Sequence, residues 1–171
     1  LGRNWFAGPQ LAGGGALIDH TVHLADLFRW LFDAEVAEVY AQTNTIIGRD
    51  KTSVDTGGLV MLTFRNGMFA SIDCSWSKPA AYPTWGGLAL DIIGTNGVAT
   101  ADAFKQRIAV YAHKPRWAFW GSDANAGMIR DFLDAVRDKR APAVTGVDGL
   151  RATEIVAAAY QSAKTGEPVK I

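Results

Sequence analysis

The sequence predicts an α+β fold, in which helices pack on an antiparallel sheet. Apolar residues recur at helical spacing up to about Phe32, and from Val36 onward the apolar period changes to two residues. Asn66-Gly67 then separates two runs of strand-forming residues, which is typical of a tight antiparallel hairpin. Helical spacing returns in the closing part of the chain. Together these patterns indicate a mixed domain whose sheet is antiparallel.

The composition is that of a chain with a sizeable core and no net charge. The 171 residues are 49% hydrophobic, and 17 Lys and Arg balance 17 Asp and Glu. This length predicts one domain, residues 1–171. The balanced charge provides no field that attracts nucleic acid or an acidic membrane surface, so we expect neither partner.

Three further features concern the protein's surroundings. The longest apolar helix is interrupted by charged and imidazole side chains, so no segment is predicted to span a bilayer. The single cysteine, Cys74, excludes an internal disulfide and fits a reducing compartment, so we expect a cytoplasmic protein. The chain opens at Leu1 without an initiating Met, which indicates a fragment of a longer protein.

The first long helix is predicted from Ala16 to about Phe32. A run of glycines precedes it: Gly13, Gly14 and Gly15. Glycine in a helix interior costs about 1 kcal/mol relative to alanine, so this run is a tight passage into the helix. One stripe carries polar and amphipathic residues: Asp19, His23, Asp26 and Trp30. The remaining faces are apolar, so we expect the helix to be buried nearly all round.

An acid and a histidine one turn apart on a buried helix need partners. In one interpretation Asp19 and His23 satisfy each other and nearby backbone. In the other, a glycine passage that leaves room for a ligand brings them to a cleft as an acid/base pair. His20 points about 80° away, toward the apolar side, and is interpreted as a satisfied core histidine.

Strands are predicted through the middle of the chain, at residues 36–47, 59–65, 68–76, 88–93, 98–101 and 108–112. A two-residue Asn-Gly turn places Arg65 opposite Met68 and fixes the register of its hairpin. Phe64 then faces Phe69 on a second apolar face that also carries Leu62. We expect another layer to cover that face, either a missing part of the chain or another subunit.

The rest of the chain is predicted as loops and two helices. Residues 77–87 and 113–125 are predicted loops, and Ser122 or Asp123 caps the helix that follows. Asp148 is the predicted cap of the last helix, which stops at Gly166. A short terminal strand follows it.

Several motifs resemble a known family. They are Gly13-Gly14-Gly15-Ala16-Leu17-Ile18-Asp19 with His23 and Asp26, the hairpin Phe64-Arg65-Asn66-Gly67, the turn Ile93-Gly94-Thr95-Asn96-Gly97 and the closing Tyr160-Gln161-Ser162-Ala163-Lys164-Thr165-Gly166. Over nearly its whole length the chain resembles the substrate domain of the glucose-fructose oxidoreductase/inositol dehydrogenase (Gfo/Idh/MocA) family. The resemblance implies a glyceraldehyde-3-phosphate dehydrogenase-like C-terminal domain. Such a domain is α+β, with a large, predominantly antiparallel open sheet and helices on one face.

Two departures from the family pattern bear on activity. The resemblance implies an N-terminal Rossmann half that binds NAD or NADP, but no strand in this chain is followed by Gly-x-Gly-x-x-Gly. The family's Glu-Lys-Pro motif, which supplies a catalytic lysine, is also missing from the sequence. We therefore expect a substrate-binding and oligomerisation domain that is inactive alone.

The resemblance also implies roles for individual residues. His23 corresponds to a general acid/base, and Asp19 to the residue that binds a substrate hydroxyl and orients the imidazole. Gly13, Gly14 and Gly15 correspond to cofactor-facing positions. The expected substrate is a sugar or polyol that exchanges a hydride with NAD or NADP. The expected assembly is a homo-oligomer formed through the open sheet face.

Two alternatives belong to other functional classes. A metal-dependent hydrolase could use Asp19, His20 and His23, since two histidines and an aspartate can supply metal ligands. A non-catalytic oligomerisation module would explain a sheet that is apolar on both faces. A set of aromatic residues could line a sugar site, although core anchoring is the leading interpretation for most of them: Trp76, Tyr82, Trp85, Trp117 and Trp120.

Overall fold

The structure is a computed structural model that describes residues 5, 7–48, 52–79, 82, 86–105, 107–110, 116–119, 121 and 123–171. The chain divides into two compact units, Leu1–Ser77 with Ala143–Ile171, and Lys78–Pro142. The expectation of a single domain over residues 1–171 stays a prediction.

Helices and strands occur in both units. In chain order they are α1 (Pro9–Ala12), α2 (Ala16–Phe32), β1 (Val36–Asn44), β2 (Gly57–Phe64), β3 (Phe69–Asp73), β4 (Ala89–Gly94), β5 (Gly97–Asp102), β6 (Arg107–Val110), β7 (Arg116–Phe119), α3 (Ala124–Asp138), α4 (Gly146–Thr165) and β8 (Val169–Lys170). All strand pairs are antiparallel among the described residues. The predicted α+β class with antiparallel sheets is confirmed.

The first unit is a four-stranded sheet covered by two helices. The strand order is β3-β2-β1-β8, with α4 packed on β1, α2 on β2 and the two helices against each other. The sheet's core face is built from alternate residues: Val39, Ala41, Val60, Leu62, Phe64 and Ile72. The Ser162 hydroxyl accepts a hydrogen bond from the Ala41 amide at 3.0 Å, which fixes α4 to β1.

The predicted register of the β2–β3 hairpin is wrong by one residue. The structure pairs Phe69 with Thr63 rather than with Phe64. The Phe64 amide donates to the Met68 carbonyl at 2.9 Å, and Gly67 has φ of 86°. The loop therefore holds three residues and ends on a left-handed glycine, which is a common alternative to the two-residue turn.

This one-residue shift reverses the faces of β3 relative to those of β2, compared with the prediction. Phe64 and Leu62 are 2% and 0% exposed beneath the chain's own helices, whereas Phe69 is 81% exposed. The predicted second apolar face, with Phe64 and Phe69 together, does not form. The open face instead carries Leu59, Met61 and Phe69 among polar neighbours such as Ser71, Thr63 and Gln42.

Helix α2 begins and ends where the sequence predicts, but only one side of it is buried. The buried residues follow a single stripe: Ala16, Leu17, Thr21, Ala25 and Phe28. His23 is exposed, and Trp30 is 74% exposed. The expectation of burial nearly all round is wrong for this unit, because one sheet face and one neighbouring helix can cover only one side of α2.

The capping of α4 differs slightly from the prediction. Thr145 is the N-cap, and Asp148 lies at the third helical position. The Asp148 carboxylate accepts hydrogen bonds from the Thr145 amide at 2.7 Å and from its hydroxyl at 2.8 Å. This arrangement is a capping box, in which two residues satisfy each other's polar groups. The helix ends before Gly166, as predicted, and Gly166 adopts a left-handed conformation with φ of 78°.

The second unit contains two hairpins and α3. Strand β4 pairs with β5, and β6 with β7. Strand β7 lies inside residues 113–125, so the prediction of an unstructured loop there is wrong at Arg116–Phe119. Asp123 caps α3 as predicted, accepting from the Ala126 amide at 3.0 Å. Trp85 and Trp120 lie outside the described residues, and so does the side chain of Trp117.

None of the helices in the described part of the chain combines the length and the apolar character that a membrane crossing needs.

The β2–β3 register can be tested by disulfide cross-linking in a Cys74→Ala background. Thr63→Cys with Phe69→Cys should form a disulfide under mild oxidation, because side chains of directly opposite strand residues lie close enough to bridge. Phe64→Cys with Phe69→Cys should not, since those two side chains point to opposite faces. Peptide mass spectrometry distinguishes the pairs, and efficient linkage of the second pair would contradict the observed register.

Candidate functional site

The glycine passage into α2 is shaped by two residues from distant parts of the chain. Gly13 adopts φ of 75°, a left-handed conformation that favours glycine. A Cβ atom at Gly14 would overlap the hydroxyl of Tyr160, and one at Gly15 would overlap the backbone carbonyl of Asp55. The second and third glycines are therefore required by close packing on these two neighbours.

Asp55 replaces the side-chain cap that a glycine cannot supply. Its carboxylate accepts hydrogen bonds from the Gly15 amide at 2.9 Å and the Leu17 amide at 2.7 Å, while its own carbonyl accepts from the Ala16 amide at 2.8 Å. The first amides of a helix have no intrahelical acceptor, and a negative charge there is favourable. Asp55 therefore stabilises the end of α2 that precedes Asp19.

Tyr160 of α4 completes this clamp. Its hydroxyl donates to the Asp55 carboxylate at 2.9 Å and accepts from the Gly15 amide at 3.1 Å. Burial disfavours the phenolate and raises the pKa of Tyr160 to about 12. Sequence reasoning missed both Asp55 and Tyr160. The signal that could have found them is the uncapped glycine start of α2, which requires an acceptor from elsewhere.

Asp19 is anchored by a cluster that the sequence did not predict. Its Oδ2 accepts a hydrogen bond from the Trp76 indole Nε1 at 2.8 Å and lies 3.4 Å from His20 Nε2. His20 Nδ1 lies 2.8 Å from the Cys74 carbonyl, and a carbonyl only accepts, so Nδ1 carries a proton. His20 is satisfied as expected, but its side chain is 44% exposed rather than enclosed in the core.

Cys74 behaves as a small buried hydrophobe. Its thiol is free and fully buried, and burial raises the pKa of Cys74 to about 11. A thiol with a raised pKa holds little thiolate, which is the reactive form.

His23 lies one turn after Asp19 on the same stripe of α2, with an exposed side chain. Across the described residues, the structure gives no hydrogen bond or ion pair to its imidazole. In the described part of the chain Asp19 and His23 form no hydrogen bond with each other, and Asp19 Oδ2 accepts from Trp76 instead. The catalytic roles of these two residues stay a prediction.

Arg29 organises the far end of α2. Its guanidinium holds Glu35 through two hydrogen bonds, at 2.8 and 2.7 Å, and approaches Asp148 at 3.5 Å and Asp26 at 3.9 Å. The hydrogen bonds between them raise the pKa of Arg29 and lower the pKa of Glu35. Asp26 therefore belongs to a structural ion network.

The alternative of a metal-dependent hydrolase requires Asp19, His20 and His23 to act as metal ligands. Within the described ranges, no group of three His, Cys, Asp or Glu side chains is arranged to hold a metal ion. His20 Nε2 lies 3.4 Å from Asp19 Oδ2, but His23 is not part of this cluster.

Comparison with known proteins places this site in a family. Residues 2–100 match the model of the GFO/IDH/MocA C-terminal domain. The chain belongs to the Gfo/Idh/MocA family. Its similarity to the uncharacterized oxidoreductase YrbE of Bacillus subtilis is 31% identity over 170 residues, covering 92% of this chain and 48% of the relative. The predicted resemblance is confirmed.

Two further similarities extend this comparison. The chain is 26% identical to myo-inositol 2-dehydrogenase of Thermotoga maritima over 170 residues, covering 92% of this chain and 49% of that enzyme. It superposes with a TM-score of 0.83 on GenD2 from gentamicin A biosynthesis, solved in complex with NAD, at 28% identity and covering 98% of this chain and 51% of GenD2. The chain therefore spans about half the length of the curated relatives it matches.

The Tyr160 clamp predicts a specific alkaline dependence of stability. The pKa of Tyr160 in the fold is about 12, above the usual value of about 10 in an unfolded chain. The stabilisation due to the neutral phenol is therefore complete below about pH 10 and lost as the pH rises through about 12. The free energy of unfolding of wild type minus that of Tyr160→Phe should shrink across this range in urea titrations. A difference that stays constant with pH would contradict the clamp.

Proposed function

We propose that this chain is the substrate-binding half of an NAD(P)-dependent oxidoreductase that moves a hydride between a sugar or polyol hydroxyl and nicotinamide. The observation that carries the proposal is the pair on α2, where an anchored Asp19 lies one turn from an exposed His23 that makes no hydrogen bond with its side chain among the described residues. The names of the relatives support it, because they include a myo-inositol 2-dehydrogenase and a structure in complex with NAD.

His23 is the proposed general acid/base. Oxidation of a hydroxyl requires a base that removes its proton as the hydride leaves, and imidazole is the side chain best suited to this near neutral pH. Asp19 accepts a hydrogen bond from a substrate hydroxyl and so places the substrate beside His23. The nicotinamide supplies hydride acceptance when it is bound.

The glycine passage fits a cofactor-facing role best at its first residue. The space around the Cβ position of Gly13 is open, with no atom of the described part of the chain within 4 Å. Gly14 packs on Tyr160 and is half-buried, and Gly15 packs on Asp55 and is buried, so Gly13 is the most accessible of the three. Bare backbone of this kind allows close approach of a ligand. The proposal covers both NAD and NADP.

The proposal extends to location and assembly. A free buried thiol at Cys74 supports a reducing, cytoplasmic compartment. The open face of the four-stranded sheet exposes three large apolar side chains, which supports a homo-oligomer formed through that face: Leu59, Met61 and Phe69. The partners proposed are thus a small sugar or polyol and further copies of the same protein.

The catalytic proposal is tested with the full-length protein, a panel of sugars and polyols, and both NAD and NADP. His23→Ala should lower turnover by about 10²- to 10⁴-fold, the usual contribution of general acid/base catalysis. Its melting temperature should match that of wild type, because the imidazole is exposed. Gln161→Ala, at an exposed position of α4, is the control and should retain the turnover and the melting temperature of wild type. Wild-type turnover by His23→Ala would contradict the assigned role.

The assembly proposal is tested by the oligomeric state at micromolar concentration. Phe69→Asp should weaken self-association, because full burial of such a side chain is worth about 1.5–3 kcal/mol. Val147→Asp makes the same charge change at a 60% exposed position of α4 and should leave the assembly intact. Light scattering measures both variants, and a monomeric wild type across this concentration range would exclude the sheet contact.

A further inference from the structure

We propose that Trp76 is a positioning residue that anchors one oxygen of the Asp19 carboxylate and leaves the other for a substrate hydroxyl. This inference rests on the proposed function, in which Asp19 binds the substrate. It assigns a role to a tryptophan that the sequence analysis considered only as an anchor or a sugar-lining residue.

The two oxygens of Asp19 have different surroundings. Oδ2 accepts the Trp76 indole N–H at 2.8 Å and lies 3.4 Å from His20 Nε2. Among the described residues, Oδ1 receives no hydrogen bond, and the Asp19 side chain is 28% exposed. A hydrogen bond to an ionised carboxylate is among the stronger ones in proteins. The carboxylate is therefore held at one oxygen, and the other oxygen is left to accept a further hydrogen bond.

Trp76 is itself held by the sheet. The Cys74 amide donates to the Gly58 carbonyl at 3.0 Å, and the Trp76 amide donates to the Thr56 carbonyl at 2.8 Å. These bonds continue the β3 ladder along the residues that lead into β2. The indole is thus carried on paired backbone, which is a more precise support than a loose loop.

His20 is the second neighbour of the anchored oxygen, Oδ2 of Asp19. Its Nδ1–H donates to the Cys74 carbonyl, and its Nε2 lies 3.4 Å from Oδ2 of Asp19. The same short strand end therefore holds both neighbours of Asp19, Trp76 directly and His20 through the Cys74 carbonyl. An orientation fixed before the substrate arrives lowers the ordering cost of binding and reaction.

A double-mutant cycle in the full-length protein tests whether Trp76 acts through Asp19. On whichever panel substrate wild type converts fastest, Trp76→Phe should lower kcat/KM about tenfold or more, the usual effect of a lost hydrogen bond to a charged group. In an Asp19→Ala background the same change should cost nothing further. Full additivity of the two losses, or an unchanged kcat/KM in Trp76→Phe, would overturn the proposal.

A second measurement does not depend on turnover. In full-length protein labelled with ¹⁵N-tryptophan, the indole signal that disappears in Trp76→Phe identifies Trp76. Asp19→Ala should shift that signal and accelerate its hydrogen exchange, whereas Asp26→Ala, on the same stripe of α2, should not. An indole signal unmoved by Asp19→Ala would refute the contact. Failure of wild type to convert any panel substrate would refute the proposed function alone, because the indole signal still decides the contact.

Discussion

The first unit depends on how the start of α2 is capped. A helix that begins with glycine has no side chain of its own to accept its first amide protons, and buried amides without acceptors are costly. Asp55 supplies the acceptors from the loop before β2, and Tyr160 of α4 steadies the same carboxylate. The Asp55 side chain therefore connects α2, α4 and the segment that leads into the sheet. This contact fixes the start of α2, and so it also sets the position of the polar stripe on that helix.

Local signals were sufficient to locate most of the elements and to fix some of the helix boundaries. Helix α2 spans Ala16–Phe32 and the last helix stops before Gly166, both as predicted, because periodicity and a left-handed terminal glycine are properties of a few neighbouring residues. The hairpin register was not predictable in the same way. Asn66-Gly67 suits both a two-residue and a three-residue loop, and only the longer loop places Ile72 on the same face as Phe64 and Phe69 on the opposite one.

Contacts between residues far apart in the sequence could not be predicted from hydrophobic periodicity or local motifs. Tyr160 and Asp55 are separated by 105 residues, and no spacing rule links them. His20 was predicted to be a satisfied core histidine, but its hydrogen-bond partner is the Cys74 carbonyl just after β3, which periodicity within α2 cannot identify. The family was predictable because its motifs are contiguous, whereas the anchoring of Asp19 depends on how separate segments meet.

The close packing of Gly14 against Tyr160 links two positions that are far apart in the sequence. A larger residue at position 14 fits only if position 160 becomes smaller, and then the Asp55 carboxylate loses one of its hydrogen-bond donors. We therefore expect these positions to change together among relatives. A glycine at position 14 is accordingly explained by the packing of α4 on the start of α2.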